Sequence, residues 1–305
     1  MKNFSQVFIF GAPRSGTTFL ASLLDKTKYK APFETHFITK YYKKLEDYGD
    51  LQEKRNFKNL INDIFGERAV RQWKIDPDID KLYYATAPDF EYSKIINEII
   101  SLKIDGGTFW GDKTPNYLED PGTIIELFPE AKFLFIVRDG RDVALSLLRK
   151  SWGPNNFLTC GEYWSRLNDN FLNVKDKIPP GSLFELKYEE VLTDPERHIK
   201  AVYDFLEEDI SEDNIMDLAN TTKSNNSGKW ASQATTSQLR RFESAAATTL
   251  KVFGYSTASR QNIITSPEKM LLRAHEAYCR FVFLFKTNVI DGIKIHFFDK
   301  EPFNE

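Results

Sequence analysis

The sequence is poor in cysteine, in histidine and in long apolar runs. Cys160 and Cys279 are its only cysteines, too few for a disulfide framework, and they fit a reducing compartment. The four histidines, His36, His198, His275 and His296, are scattered rather than clustered as metal ligands are, so no metal is expected. No apolar stretch approaches the ~20 residues needed to cross a bilayer. At the amino terminus Lys2 is followed by polar Asn3 and Ser5, not by the pattern of a secretory leader. These absences point to a cytoplasmic chain without an integral membrane segment. A formal net charge of −3 supplies no basic field for nucleic acid. Internal repeats and low-complexity tracts are not evident.

What is present is an ordinary globular composition. The 305 residues are 41% apolar and 28% charged, with 25 phenylalanines, enough for a sizeable core in one large α/β domain or two small ones. The most informative stretch is QVFIFGAPRSGTTFLASLLD, residues 6–25. Val7 to Phe10 reads as a strand ending on Gly11, and Phe19, Leu20, Leu23 and Leu24 recur at helical spacing. Between them lie Ala12, Pro13, Arg14, Ser15, Gly16, Thr17 and Thr18. A strand, a tight glycine-bearing loop and a helix start form an anion cradle, because unpaired backbone N–H groups and the positive end of the helix dipole meet there.

This loop departs from the triphosphate-binding pattern G-x-x-x-x-G-K-[ST] at one position. Gly11 and Gly16 have the right spacing, but Thr17 stands where the lysine belongs, and the loop's cation is Arg14. That substitution speaks against Mg²⁺-triphosphate chemistry and for a phosphate ligand of another kind. The plain alternative is a strand–turn–helix with a chance pair of glycines. A second anion site is suggested by Lys132 to Val137 (KFLFIV), apolar throughout as a strand buried on both faces must be, which runs into Arg138-Asp139-Gly140-Arg141-Asp142 and a helix. Arg138 and Ser146 could clamp a second phosphate. The plain alternative is Arg138 paired with Asp139 or Asp142.

Elsewhere the pattern predicts a short strand at Tyr29–Phe33 ending at Glu34-Thr35-His36, and helices within residues 36–66. A less regular stretch at 71–90 is punctuated by Asp76-Pro77, Asp78, Asp80 and Ala87-Pro88, and a helix follows at Tyr92–Leu102. A strand at Thr108–Gly111 delivers Asp112-Lys113-Thr114-Pro115, and Tyr117–Phe128 reads as a helix. Further on come a long helix marked by Phe157, Trp164, Leu167, Phe171 and Val174, a strand at Ser182–Leu186 and a helix capped by Asp194 that runs to Leu206. Residues 220–237 read as loop and Ser237–Phe253 as helix. The tail carries an amphipathic helix through Leu271 and Phe285, then a hairpin signal across Asp291-Gly292. Strands alternating with helices imply a doubly wound parallel α/β sheet flanked by helices. The loop at 11–18, Glu34, Lys113 and Arg138 then fall at the carboxyl ends of strands, where ligands bind in such sheets.

The two motifs PRSGTT and VRDGRDVALS, each between a strand and a helix, resemble those of the sulfotransferases that use 3′-phosphoadenosine 5′-phosphosulfate (PAPS). The nearer resemblance is to the tyrosylprotein sulfotransferases and their bacterial relatives. It is carried also by Glu34-Thr35, by Lys113-Thr114-Pro115, by Tyr188 in KYEEVLTDPERHI and by the late Gly228-Lys229. It spans roughly residues 5–255 of a sulfotransferase domain expected over 1–260, with a helical acceptor-side insertion at about 36–105. By this resemblance Arg14, Ser15, Gly16, Thr17, Thr18, Arg138, Ser146, Tyr188, Gly228 and Lys229 bind PAPS or its product, 3′,5′-adenosine bisphosphate. Trp230 is a candidate to stack on adenine or to belong to the core. The relatives carry a basic residue twelve positions after the strand-end arginine; here it is Lys150, with Arg149 beside it.

Sulfuryl transfer places charge on equatorial oxygens in a loose, in-line geometry, as phosphoryl transfer does. Arg14 and Lys113 are the candidates to stabilise that charge. The acceptor hydroxyl must lose a proton, and a phenol's pKa is near ~10, so a base helps. Glu34 is the candidate base and His36, two residues on, its rival. The acceptor is left open among small-molecule, lipid, glycan and peptide hydroxyls. The role of residues 261–305 is equally open, whether to cover the core, to pair two copies as a homodimer or to wall the acceptor site. A kinase of small molecules or nucleotides on the same loop is the alternative activity, and a non-catalytic nucleotide-binding module the alternative class.

Overall fold

A computed structural model describes residues 5–30, 34–222, 226–258 and 263–287. Four strands, β1 (Ser5–Phe10), β2 (Phe109–Asp112), β3 (Lys132–Val137) and β4 (Leu183–Lys187), form one sheet among the described residues. The helices are, in chain order, α1 (Thr17–Leu24), α2 (Ile38–Tyr42), α3 (Leu45–Tyr48), α4 (Lys54–Gly66), α5 (Arg68–Arg71), α6 (Ile79–Thr86), α7 (Tyr92–Lys103) and α8 (Pro121–Leu127). They continue with α9 (Gly140–Leu147), α10 (Phe157–Leu172), α11 (Tyr188–Thr193), α12 (Pro195–Leu206), α13 (Glu212–Asn220), α14 (Trp230–Gln233), α15 (Thr236–Val252) and α16 (Ser266–Phe285). The chain divides into two compact units. The first holds residues 1–12, 16–137 and 170–223, and the second holds 13–15, 138–169 and 224–305.

The first unit is the sheet and its flanking helices. Strand order is β2-β1-β3-β4, every pair parallel. The chain adds β2 on one side of β1 and then crosses to build β3 and β4 on the other, so the order reverses between β1 and β3. That reversal opens a crevice beyond the carboxyl ends of those two strands. The architecture is the doubly wound parallel α/β sheet expected from the sequence.

The continuous apolar runs of β1 and β3 follow from burial on both faces. Successive side chains point to opposite faces. Val7, Ile9, Leu134 and Ile136 face a core made with Leu20, Leu23 and Leu24 of α1, Ile199, Val202, Tyr203 and Leu206 of α12, and Leu218 of α13. The alternate residues build an aromatic layer. The Phe8 ring lies 5.4 Å from Trp110 and 5.1 Å from Phe128, and Phe135 stacks on Phe171 at 4.0 Å. Each such side chain, fully buried, contributes about 1.5–3 kcal/mol.

Several boundaries differ from the expected pattern for local reasons. The helix expected over 117–128 is broken into a 3₁₀ turn at Pro115–Glu119 and α8, with Pro121 in the first turn of α8. The aspartates that read as loop punctuation near residue 78 instead start α6, where the Asp78 carboxylate accepts from the Lys81 N–H at 3.0 Å. Helix α13 has no counterpart in the sequence pattern; Ser211 caps it by accepting from the Asn214 N–H. The short α14 interrupts the stretch expected to be loop at 220–237. Of the strand expected at Tyr29–Phe33, residues 31–33 lie outside the described residues, as does the hairpin expected around Asp291-Gly292.

In the second unit, Gly140 at the start of α9 lies under two rings; a Cβ there would come within 2.5 Å of Phe242 and 2.6 Å of Trp164. Helix α16 is attached by its polar side. Arg273 donates to Glu162 at 2.6 Å, Arg240 and Arg241 meet Glu268, and the Glu276 carboxylate accepts from Asn155 N–H at 2.7 Å and Thr159 Oγ1 at 3.0 Å. Met270, Leu271, Tyr278, Phe281 and Phe285 of the same helix are more than half exposed. Cys160 is buried, and burial pushes its thiol far above the ordinary range; Cys279, on α16, is half-buried, and both are free thiols.

Gly11, where β1 ends, has no room for a side chain. A Cβ would lie 2.7 Å from Thr17 Cγ2 and 2.8 Å from the Ile136 carbonyl oxygen, a backbone atom that cannot swing aside. Gly11→Ala is therefore expected to cost about 1–3 kcal/mol of stability, read as a lower denaturant midpoint. A midpoint equal to that of the parent would show that β1 and β3 separate freely at this end.

Candidate active site

In the first unit, β2 ends on Asp112 and hands the chain to Lys113. The Lys113 ammonium donates to Glu34 Oε1, and Glu34 Oε2 lies 3.2 Å from His36 Nε2. Glu34 and His36 are about two-fifths exposed, whereas Lys113 is mostly covered. Partial burial pushes the Glu34 carboxyl up, but hydrogen bonds and charge from His36 and Lys113 outweigh it and hold the group below its ordinary range. Glu34 is thus an ionised carboxylate at neutral pH, open to solvent on one side and tied to a cation on the other. His36 adopts a left-handed backbone with φ of 57°.

Beneath this pair sits a carboxylate that the sequence pattern does not single out. Asp112 is fully buried; its Oδ2 accepts from Thr35 Oγ1 at 2.6 Å and its Oδ1 from Thr114 Oγ1 at 2.7 Å. Tyr117 OH contacts Thr35 Oγ1 as well. Burial dominates here and pushes the Asp112 carboxyl up to about 7, against the pull of the two threonine hydroxyls.

Gly16, Thr17 and Thr18 also belong to the first unit. Gly16 has φ of 100°, and a Cβ on it would strike the Tyr188 ring at 2.6 Å, so the residue must be glycine for two independent reasons. Helix α1 starts at Thr17 with no side-chain cap, leaving its first N–H groups without intrahelical partners. Thr17 is buried and Thr18 exposed. Tyr188 opens α11 and is buried.

The second unit contains Arg14, Ser15, Arg138, Ser146, Gly228 and Lys229. Ser146 Oγ accepts from Arg14 Nε at 2.9 Å. Arg138 Nη1 donates to the Arg14 carbonyl at 3.1 Å, and Nη2 donates to the Asn226 carbonyl. Of the two aspartates weighed as partners for Arg138, Asp139 forms a two-point pair with Arg141, at 2.7 and 2.9 Å, and Asp142 Oδ2 stands 3.9 Å from Arg138. Asp142 thus pairs with Arg138 and also fastens the Gly-Lys loop. Its Oδ2 accepts from the Gly228 N–H at 2.6 Å and its Oδ1 from the Trp230 N–H at 2.9 Å. Lys229 Nζ donates to Asn226 Oδ1 at 2.8 Å, and the Arg141 guanidinium covers one face of Trp230 at 3.6 Å from the ring centre. Arg149 reaches Gln233 at 3.3 Å.

Ser15 Oγ is buried and lacks a hydrogen-bond partner among the described residues. A buried hydroxyl left so is costly unless a ligand oxygen meets it. In the first unit, the left-handed Gly16 and the uncapped start of α1 leave backbone donors of the kind that meets a phosphate-bearing ligand. Among the described residues no group of carboxylates, histidines or cysteines is arranged to hold a metal, and no helix is long and apolar enough to cross a membrane.

Residues 6–212 match the model of the sulfotransferase family. The protein-tyrosine sulfotransferase A of Caenorhabditis elegans is 25% identical over 218 residues, covering 66% of this chain and 49% of that protein. The protein-tyrosine sulfotransferase of Drosophila melanogaster is 25% identical over 214 residues, covering 66% and 38%. The chain spans half or less of the length of these relatives. Among solved structures, a sulfotransferase domain from the curacin biosynthetic pathway aligns with a TM-score of 0.49 and 18% identity, over 91% of this chain and 99% of that one.

Two outcomes are expected from this geometry. The folded chain holds the Asp112 proton from an ordinary value of 3.8 up to about 7, so between those pH values it binds more protons than the unfolded chain. Stability should fall as pH rises through that window, by at most about 1.4 kcal/mol per pH unit from this group. Asp112→Asn should remove that component of the slope in urea titrations across the window; an identical slope in the variant would refute the assignment. In the second unit, Asp142→Ala should speed hydrogen exchange of the Gly228 and Trp230 amides about 10–100-fold, the value of losing a hydrogen bond to a charged acceptor.

Proposed function

The chain belongs to the sulfotransferase family, and we propose that it moves a sulfuryl group from PAPS to an acceptor hydroxyl. The observation that carries this reading is the Glu34 carboxylate held against Lys113, just beyond the carboxyl end of β2. When bound, the donor supplies a sulfuryl group activated by its link to a phosphate leaving group. Glu34 is ionised and accessible, and it receives the proton of the attacking hydroxyl. Lys113 holds Glu34 in place before the acceptor arrives and offers positive charge where negative charge builds up. His36 steadies the second carboxylate oxygen and stands as the rival base. Arg14 is assigned the same stabilising duty as Lys113 by family pattern.

Donor recognition is proposed for Ser15, Gly16, Thr17, Thr18 and Tyr188 around the first loop, and for Arg138, Ser146, Gly228 and Lys229 at the second anion site. The unsatisfied Ser15 hydroxyl and the bare Gly16 backbone support the first set. Arg138 and the Asp142-fastened Gly228-Lys229 loop support the second. The kinase alternative loses its footing at Thr17, which occupies the position of the phosphate-binding lysine. A phenolic side chain is the first acceptor to try, because the curated relatives are named for tyrosine. A cytoplasmic setting is proposed from the two free thiols alone.

The test is transfer of ³⁵S from labelled PAPS to a panel of phenols, alcohols, sugars and tyrosyl peptides. Glu34→Gln should keep its affinity for adenosine bisphosphate and lose turnover by about 10²–10⁴-fold. Arg138→Ala should lose bisphosphate affinity first. Bisphosphate binding without transfer to any acceptor, and with no effect of Glu34→Gln, would make the chain a binding module instead.

A further inference from the structure

We propose that Asp112 is a positioning residue for the Glu34–Lys113 pair, its buried carboxylate accepting one hydroxyl hydrogen bond from the immediate neighbour of each. The inference rests on the assignment of Glu34 and Lys113 given above. Thr35 follows Glu34 and Thr114 follows Lys113 in sequence, and both hydroxyls converge on Asp112 from segments that are 77 residues apart or adjacent to it. The carboxylate therefore ties the segment bearing the base to the segment bearing the cation. Asp112 itself is held by the sheet, in register with Phe8 of β1, so the tie is anchored on β2 beside the central strand.

Hydrogen counting fixes the direction of each bond. Thr35 has one hydroxyl hydrogen, and it goes to Asp112 Oδ2 at 2.6 Å. The Thr35–Tyr117 contact must then use the phenol's hydrogen. Thr114 gives its hydrogen to Oδ1 at 2.7 Å. The chain of donors runs from Tyr117 to Thr35 to Asp112, with Thr114 entering from the other side. It is strongest while Asp112 is ionised, since hydrogen bonds to a charged acceptor are about twice as strong as those to a neutral one. On protonation the carboxyl keeps less charge to accept with and has a hydrogen of its own, so the two threonine bonds weaken or one of them reverses direction. The charged and titratable groups around Asp112 are Glu34 and His36 from the segment before α2, Tyr117 from the 3₁₀ turn, and Lys113 beside it. Burial is the main force raising the carboxyl, toward about 7, while the two threonines and His36 oppose it and Glu34 adds to it. The tie accordingly loosens as pH falls through neutrality, a range in which Glu34 remains ionised.

The experiment uses the full chain and reads Glu34 directly, without donor or acceptor, by ¹³C-carboxyl NMR titration. In the parent protein Glu34 should titrate below its ordinary range. In Asp112→Asn, Thr35→Val and Thr114→Val its midpoint should move up to the ordinary range as Lys113 drifts away, while Thr35→Ser and Thr114→Ser keep the parent value. If Asp112→Asn does not fold, the threonine variants decide. Where transfer to 4-nitrophenol or another acceptor is measurable, Asp112→Asn should lower kcat roughly 10–100-fold, the scale of a misplacement near 1 Å, with KM unchanged. It should also abolish an acid limb near pH 7 that His36→Gln retains. A Glu34 midpoint unmoved in folded variants, or an acid limb that survives Asp112→Asn, overturns the proposal. A shifted midpoint in a protein that transfers no sulfuryl group would uphold the positioning role and sink the proposed function. Transfer by the parent with an unmoved midpoint would do the reverse.

Discussion

The central strand β1 is walled on both faces and both edges. It hydrogen-bonds to β2 on one side and β3 on the other, and side chains cover it above and below. Between Val7 and Phe10 a strand enclosed in this way has no polar side chain to offer, so the next ones come only after the chain clears its carboxyl end. The tight approach of Gly11 to the Ile136 carbonyl marks that exit. Past it the chain turns at Gly16 and enters α1 with N–H groups that no side chain caps. The order reversal between β1 and β3 then supplies the crevice that such sheets use for ligands.

Glu34 and Asp112 show how neighbouring carboxyls are pushed in opposite directions. Glu34 is partly exposed and accepts hydrogen bonds from His36 and the Lys113 ammonium, which together outweigh desolvation, so the group stays ionised. Asp112 is enclosed, its hydrogen bonds come from the Thr35 and Thr114 hydroxyls, and the charges of His36 and Glu34 act on it in opposite directions, so desolvation wins. Neither shift is read from residue type; each depends on how much water is removed and on what replaces it. Divergent environments for paired acids are a recurrent way of dividing proton-handling from scaffolding.

The continuous apolar runs of β1 and β3 make the sheet legible in the sequence, since full burial on both faces leaves no polar position to blur the pattern. Asp194 and the helix it caps are equally plain, because the cap lies next to Pro195. The aspartates before α6 mislead, since the same residue type ends a loop and begins a helix. The site is legible in parts. Glu34 and Lys113 can be named from spacing and resemblance, but their contact joins residues 79 apart and only tertiary structure reveals it. Asp142 is legible as a partner for Arg138, 3.9 Å away, but its bonds to the backbone at Gly228 and Trp230, like the bond of Asp112 to Thr35, cross too much sequence to be read from spacing. The bond between Ser146 and Arg14, 132 residues apart, is likewise invisible to spacing along one helix.

The polar attachment of α16 leaves Cys279 within reach of solvent, while Cys160 is sealed inside the second unit and strongly disfavoured as a thiolate. The chain therefore carries a single thiol suited to alkylation. A fluorophore placed there would report on the carboxyl-terminal helix without any engineered cysteine, and with no need to remove a native one.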